Sequence, residues 1–393
     1  MESVTWEEAT ARRLDRMHLR ERVAPERMLE VAADLGGVHA QLMSSAELTL
    51  WARVRDITLG DVREALWRRH ELVKTWAMRG TLHLVATPDY PTWQAALSLN
   101  RRHLSGAWLK FFGLTAETFQ ALDEAVGEAL RGRCLTRVEL AAEVARITGR
   151  DDLSERLLSG WGSLLKPSAF AGKLCFGPNQ GQNVTFVHPQ DWLGRYAPPD
   201  ADEALREVTR RFLRTFGPAT REEVGRWWGA DPPAAGRMLQ ALGGEIEEVA
   251  LERRRAWRLV EPVAGAPVGS RGASAPVGSP GAGRAATAAA GPLVRLLPAF
   301  DIYVVTASPR TVEAGILPAA LREQVYRKSA WFSPVLLVDG RMEAVWGHEV
   351  RGRKVEVRVR PFAKLAPAVR RGVERETELL ARFLGGEPAL VVE

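Results

Sequence analysis

The hydrophobic and polar positions along the chain repeat one arrangement three times. Each copy has three stretches with apolar residues at helical spacing, followed by two shorter stretches that alternate as strands do. Thr58 stands where a helix N-cap is expected. We predict helices in 25–35, 44–54 and 58–70, in 115–132, 136–148 and 153–165, and in 202–216, 220–229 and 232–243, with hairpins in 71–85, 173–187 and 245–260.

Three helices followed by a β-hairpin form a winged helix, a variant of the helix-turn-helix that binds duplex nucleic acid. The pattern therefore predicts an α+β chain with three tandem winged helices at residues 1–112, 113–198 and 199–261. A helical scaffold that uses the same fold for protein contacts is the alternative.

Two further regions follow the third copy. Residues 262–292 contain almost no large apolar side chain and repeat the sequence APVGS, which is typical of a flexible linker. In 293–393, the stretches 293–305, 333–346 and 354–362 alternate like strands, and 365–384 is amphipathic. We predict a C-terminal β-rich domain, a meander closed by a helix.

Composition excludes several classes of protein. Apolar residues make up 46% and charged residues 26% of the chain, as in a globular protein with a sizeable core. No apolar run is long enough to span a membrane, and the polar N-terminus does not resemble an export signal. Cys134 and Cys175 are too few for a disulfide framework, and no Cys/His group has metal-binding spacing. We expect a cytoplasmic, nucleoid-associated monomer without metal or cofactor.

The charge balance favours a polyanionic partner only weakly. The net charge is +6, and only seven of the 54 basic residues are lysines. Arginine suits bidentate phosphate contacts. A GC-rich genome that favours arginine codons explains the same bias equally well.

His39 and Gln41 stand two residues apart in the short link between the first two predicted helices. The corresponding links of the other copies have no such pair. In an extended link both side chains would point the same way and could hold one water molecule. Alternatively, His39 packs in a boundary layer and Gln41 caps the next helix.

Four blocks, at 36–54, 75–85, 296–305 and 334–346, resemble the winged-helix DNA glycosylases of the AlkZ and YcaQ type. The resemblance extends over nearly the whole chain. It implies tandem winged helices, a C-terminal β-rich domain and cleavage of alkylated purines from duplex DNA. The catalytic pair of that family is typically Gln-x-Gln or Gln-x-Asp, with a His-first variant in one branch. The matching residues here are His39 and Gln41.

Such a pair suits a leaving group that already carries positive charge. Glycoside cleavage usually employs two carboxyl groups, but N7-alkylated guanine leaves as a neutral base and needs no general acid. His39, with an ordinary pKa of about 6.5, would take a proton from water, and the Gln41 carbonyl would orient that water. The nearest lysine in sequence, Lys74, is on a predicted strand, so we expect a monofunctional hydrolase without strand cleavage.

Further residues are candidates for DNA contacts. In the first hairpin these are Arg79, Gly80, Thr81 and His83, although His83 could equally be structural. In the C-terminal domain Arg351, Arg353 and Lys354 form a basic turn, for which an exposed turn without a ligand is the alternative. For Asp301 we expect a structural carboxylate that accepts buried backbone N–H groups.

These observations together favour a monofunctional DNA glycosylase that acts on alkylated purines in duplex DNA, as a step of base excision repair. The expected substrates are N7-alkylguanine and N3-alkyladenine, with bulky adducts and cross-links included. A non-catalytic winged-helix regulator and a silent scaffold protein are the alternatives. Release of free base would distinguish the first from both.

Overall fold

The computed structural model describes residues 2–159, 162–260, 291–308 and 310–393. Except for its last two residues, the predicted linker at 262–292 lies outside these ranges. Among the described residues, no helix combines the length and the apolar character needed to cross a membrane.

In the first part of the chain, helices surround a small three-stranded sheet. Thr58 caps its helix through a reciprocal pair of hydrogen bonds with Asp61, as its position predicts. The elements are β1 (Ser3–Val4), α1 (Trp6–Arg16), α2 (Met28–Asp34), β2 (Val38–His39), α3 (Met43–Trp51), α4 (Leu59–Trp67), β3 (Leu72–Trp76), β4 (Leu82–Ala86), α5 (Tyr90–Ser98) and α6 (Gly106–Phe112).

The second and third parts repeat the succession of helices and hairpin. The second contains α7 (Ala116–Ala129), β5 (Cys134–Thr136), α8 (Arg137–Thr148), α9 (Asp151–Leu158), α10 (Lys166–Phe170), β6 (Cys175–Gln180), β7 (Asn183–Val187) and α11 (Pro189–Trp192). The third contains α12 (Ala201–Phe216), α13 (Arg221–Trp228), α14 (Pro232–Gln240), β8 (Ile246–Leu251) and β9 (Arg254–Leu259). The helices and hairpins predicted in the three copies are confirmed within a few residues, except that the helix predicted at 153–165 ends at Leu158. Their classification as three winged helices stays a prediction.

The C-terminal part is built on a five-stranded sheet in the order β10-β13-β14-β15-β16. Its elements are β10 (Val294–Leu297), α15 (Ile302–Ala307), α16 (Arg322–Val325), β11 (Tyr326–Arg327), β12 (Trp331–Phe332), β13 (Val335–Val338), β14 (Arg341–Arg351), β15 (Lys354–Pro361), α17 (Pro367–Leu384) and β16 (Glu387–Val392). The first four strands are antiparallel, as a meander requires, but β16 pairs with β15 in parallel. Helix α17 provides the crossover that a parallel connection needs.

Among the described residues, each of the three three-stranded sheets contains a strand that the repeat pattern does not predict. Strand β2 pairs with β4, β5 with β7, and β1 with β8. In the last case the N-terminal strand completes the sheet of the third part. Most of the buried apolar residues form one cluster that continues from Leu14 in the first part to Phe383 in α17, and a smaller cluster packs around Val4 and Val249. The mixed α+β fold is confirmed, whereas the boundaries between domains stay a prediction.

One strand prediction is wrong. The stretch 293–305 was expected to be extended throughout, but β10 ends at Leu297 and residues 302–307 form helix α15. The Asp301 carboxylate accepts the Tyr303 N–H and caps this helix, as expected for a structural carboxylate. Asp301 also makes a bidentate ion pair with Arg53, at 2.7 and 2.8 Å, and both side chains are fully buried. The pair joins the C-terminal part to the chain just after α3.

Candidate active site

His39 lies in strand β2, not in an irregular link as the sequence suggested. Gly36 and Gly37, with φ of 68° and 98°, take the chain from the end of α2 into this strand. Val38 and His39 pair with Leu84 and His83 of β4, and the Ala40 N–H donates to the Leu82 carbonyl at 2.7 Å. The local fold thus fixes the His39 backbone against the first hairpin.

The His39 ring is sealed between aromatic side chains and is only 6% exposed. It stacks on Phe300 with ring centroids 4.9 Å apart and an interplanar angle of 12°. On another side it packs edge-on against the His83 ring, with ring centroids 5.2 Å apart and an interplanar angle of 75°. Its Nδ1 atom is buried and has no hydrogen-bond partner among the described residues.

Burial changes the acid–base character of His39. Desolvation, supported by the positive charge of Arg79, lowers the pKa of His39 to about 3. The expectation of an ordinary pKa is therefore wrong, because the enclosure of the ring depends on tertiary contacts that residue spacing does not indicate. At neutral pH the imidazole is neutral and has one nitrogen free to accept a hydrogen bond.

Gln41 is exposed and lies in a bend before α3. Strand β2 ends at His39, so the alternation that would aim both side chains in one direction does not extend to Gln41. The arrangement places an enclosed imidazole beside a carboxamide that is open to solvent.

Phe300 is a site residue that the sequence did not single out. Its backbone has a φ of 60°, a conformation that non-glycine residues rarely adopt. The next residue, Asp301, is held by Arg53, and this pair fixes the segment whose aromatic ring covers His39. Phe300 also contacts Trp331 of β12, which is 41% exposed, with ring centroids 4.9 Å apart. The only sequence signal for Phe300 was its place in a block that resembles the glycosylases.

The turn between β3 and β4 carries three of the predicted DNA-binding residues, but it packs against the protein. Arg79 donates from Nη1 to the Trp227 carbonyl at 2.7 Å, and burial lowers the pKa of Arg79 to about 10. Gly80 has a φ of 66°, as the tight turn requires, and the Thr81 hydroxyl donates to the Met78 carbonyl within the turn. These contacts give Arg79, Gly80 and Thr81 structural roles in the turn, and the DNA contacts of the three residues stay a prediction.

His83 is fully buried, so its ring cannot meet a phosphate in this structure. The DNA contact predicted for it is not supported by the geometry. His39, the residue opposite His83 on β2, packs against this ring with centroids 5.2 Å apart and so contributes to its burial.

A groove with a volume of about 1220 Å³ starts at this turn and runs between the first three parts of the chain. Arg79 and Gly80 line this groove, and the positive charge of Arg79 also acts on His39, which is not itself a lining residue. Among the described residues its lining has more cations than carboxylates: Arg79, Arg102, Lys166, Arg206 and Arg237 against Asp202 and Asp231. Its rim carries Phe111, whose side chain is 82% exposed.

Lys166 is a groove residue that sequence reasoning missed. A Cβ atom built on Gly80 would lie 3.5 Å from its Nζ atom, and partial burial lowers the pKa of Lys166. No sequence signal connects Lys166 with the first hairpin, because the two are brought together only by tertiary packing. Its position next to the turn makes it a candidate for a phosphate contact.

The basic turn of the C-terminal sheet is exposed, as predicted, and joins β14 to β15. Each of its cations has an acidic neighbour: Arg351 pairs with Glu349, Arg353 with Glu387 and Lys354 with Glu356. Exposed pairs of this kind are weak. The DNA contact of this turn stays a prediction.

His18, Glu30 and Asp34 are a group with ligand atoms within 4.8 Å of one another. His18 Nε2 lies 2.7 Å from Asp34 Oδ2, and Glu30 accepts two hydrogen bonds from Arg27. These internal partners account for the group as a set of ion pairs, so we assign no metal to it.

Comparisons with known proteins cover almost the whole chain. Residues 32–383 match the model of a family described as DNA glycosylase AlkZ-like. The interstrand DNA cross-link repair glycosylase of Streptomyces sahachiroi is 33% identical over 389 residues, which is 97% of each chain. The solved structure of Streptomyces sahachiroi DNA glycosylase AlkZ aligns over the full length of both chains, with a TM-score of 0.81 and 31% identity.

Proposed function

The chain belongs to the AlkZ-like family of DNA glycosylases, and on that premise we propose that it hydrolyses the N-glycosidic bond of alkylated purines in duplex DNA. N7-alkylguanine is the principal substrate in this proposal, and N3-alkyladenine a second one. The observation that supports this proposal most directly is the position of His39, an enclosed neutral imidazole beside the exposed Gln41.

The chemistry of the leaving group explains why no pair of carboxylates is needed. N7-alkylguanine carries a positive charge and departs as a neutral base, so the enzyme needs no general acid. What remains is to place a water molecule opposite the leaving group and accept its proton. In this proposal His39 accepts the proton and the Gln41 carbonyl orients the water.

The groove supplies the surface for the DNA backbone. Its lysine and arginines suit phosphate contacts, and one of them, Arg79, is close enough to His39 for its charge to lower the pKa of that ring. In this proposal the same groove, with a volume of about 1220 Å³, also takes the substituent of a bulky adduct. Together with the cross-link repair activity named for the Streptomyces relative, this extends the proposal to bulky adducts and interstrand cross-links.

We propose hydrolysis without strand cleavage. Lys74 is buried, with its ammonium 5.4 Å from the centre of the Phe176 ring, so it is not placed to attack a sugar. Lys166 lines the groove and is the lysine to test. Trapping with borohydride should give no covalent complex between enzyme and DNA; a complex that disappears in Lys166→Ala would contradict monofunctional hydrolysis.

The decisive experiment is single-turnover release of free base from a panel of duplexes, each with one defined adduct. The panel contains N7-methylguanine, N3-methyladenine, a bulky N7 adduct and an N7-linked cross-link. We expect release from the N7 adducts, and His39→Ala and Gln41→Ala should each slow it by about 100-fold or more while DNA affinity stays near wild type.

His188→Ala is the matched control for loss of a buried histidine. His188 is 4% exposed and caps α11, away from the residues around His39. This variant should remain active. Full activity of a folded His39→Ala protein on every adduct would refute the proposed site, and release confined to N3-methyladenine would refute the substrate preference.

A further inference from the structure

His83 is a buried histidine next to the candidate active site for which the mechanism gives no role. It lies on β4 directly opposite His39 on β2, and its side chain is fully buried. Its Nδ1 atom lies 3.0 Å from the Thr81 carbonyl oxygen. A carbonyl can only accept, so Nδ1 carries the proton and Nε2 of the neutral ring is an acceptor.

The two histidines have complementary unpaired atoms. Among the described residues, neither His83 Nε2 nor His39 Nδ1 has a hydrogen-bond partner, and both atoms are buried. Buried polar atoms nearly always have a partner, either protein or water. The ring centroids are 5.2 Å apart, so ring nitrogens that turned to face each other would come within about 3 Å, a hydrogen-bond distance.

We propose that His83 is a positioning residue whose Nε2 accepts a hydrogen bond from Nδ1–H of His39, directly or through one buried water. This bond selects the His39 tautomer in which Nε2 keeps its lone pair for the attacking water. The inference rests on the proposed function, because it assigns which His39 nitrogen serves as the base.

The proposed hydrogen bond between His39 and His83 also has an effect during the reaction, when His39 takes up a proton. One proton of the attacking water moves to His39 Nε2, the water oxygen bonds to C1′, and the electrons of the glycosidic bond stay with the departing base. His39 is then an imidazolium whose Nδ1–H still faces His83. A hydrogen bond from a charged donor is stronger than one from a neutral donor, so His83 stabilises the state that the enclosed ring otherwise disfavours.

The same arrangement accommodates glutamine at position 39. In a His39→Gln protein, the amide N–H would donate to His83 Nε2, and the amide oxygen would remain to orient the water. The pairing with His83 therefore predicts that the amide oxygen of the glutamine faces the substrate.

The first test is spectroscopic and needs no substrate. In the full-length protein with ¹⁵N-labelled histidine, two-bond proton–nitrogen spectra identify the protonated nitrogen of each ring, and His39→Gln assigns the His39 signals. We expect His39 to be the Nδ1–H tautomer in the wild type. The Nε2–H tautomer would overturn the proposal, even if the protein were inactive on every adduct tested.

The second test compares two substitutions at the same buried position. His83→Gln can place an amide oxygen near the position of Nε2, whereas His83→Asn is too short to reach it and retains only a polar group near Nδ1. We expect His83→Gln to keep most of the excision rate and the tautomer of His39. His83→Asn should be about 10- to 100-fold slower, the loss expected when a buried donor is left unpaired, with DNA affinity unchanged.

Thermal unfolding identifies variants that fail to fold, and the wild-type spectrum then still decides the question. Equal losses in both folded variants with no change of tautomer would show that His83 is only structural and overturn the proposal. If the wild type releases no base from any adduct but shows the expected tautomer, the proposed function fails and the pairing of the two rings stands.

Discussion

The enclosure of His39 predicts that base excision is insensitive to mild acid. The perturbation is a change of pH from 7.5 to 5. With a pKa of about 3, His39 remains neutral over this range. An exposed histidine with a pKa of about 6.5 would be almost entirely protonated at pH 5, and the rate would fall by about 30-fold. The structure therefore predicts an excision rate that hardly changes between pH 7.5 and 5, whereas a histidine with an ordinary pKa would make the rate fall steeply.

Single-turnover release of N7-methylguanine with saturating enzyme is the suitable assay. Rates without enzyme must be subtracted at each pH, because the modified base also leaves spontaneously. Circular dichroism at each pH confirms that the protein is folded. A 30-fold fall at pH 5 in a folded enzyme, absent in His39→Gln, would refute the reasoning, because His39 would then titrate like an exposed residue.

The low pKa of His39 also predicts that the free energy of unfolding depends on pH. The folded pKa of His39, about 3, lies below the unfolded value of about 6.5, so the unfolded chain binds the proton more readily. This contribution to stability is present above pH 6.5 and is lost as pH falls towards 3. Between pH 6.5 and 5 the loss is about 1.7 kcal/mol, because the slope rises from half of 1.36 kcal/mol per pH unit at pH 6.5, where the unfolded histidine is half protonated, to nearly the full value at pH 5. Urea unfolding of His39→Gln should show a shallower acid loss than the wild type; equal slopes would contradict the assigned pKa.

Three further predictions concern the surroundings of the site. Phe300→Ala should admit water to His39, raise its pKa towards 6.5 and produce a fall in excision rate near pH 6; an unchanged profile would show that the stacked ring is not what encloses His39. Asp301→Ala leaves Arg53 buried without its partner and should lower the free energy of unfolding by about 3–5 kcal/mol; a loss below 1 kcal/mol in urea titrations would contradict this. Lys166→Ala should reduce the slope of log affinity against log salt by about 0.9, as measured by fluorescence anisotropy, whereas Arg146→Ala, outside the groove, should not.

Local signals in the sequence were enough to predict most elements of the fold. Thr58 followed by Asp61 predicts the start of α4, and the alternation in 71–85 predicts the hairpin of β3 and β4. These features depend on residues close together in the chain. The two-residue strand β2 has no such signal, because it exists only through its pairing with β4.

The candidate site was less predictable, because its properties arise from tertiary contacts. The glycosylase resemblance pointed to His39, but its low pKa depends on Phe300, which is more than 250 residues away in the chain. The helix that follows Phe300 was predicted as strand because IYVV suits both. Lys166 reaches Gly80 only through the packing of the second part against the first. Spacing in the sequence contains no information about such contacts.

In the proposed mechanism, with His39 as the base, the low pKa of this residue bears on how damaged and intact bases are distinguished. A general base is most effective when its pKa lies near the working pH, so an imidazole with a pKa of about 3 withdraws a proton from water only weakly. It can assist hydrolysis only after the glycosidic bond has largely broken and the sugar cation has made the water acidic. N7-alkylguanine reaches that stage because its base leaves as a neutral molecule, whereas intact guanine would have to leave as an anion or be protonated first. Enclosing His39 thus reduces its strength as a base and, for the same reason, confines its assistance to leaving groups that depart without help.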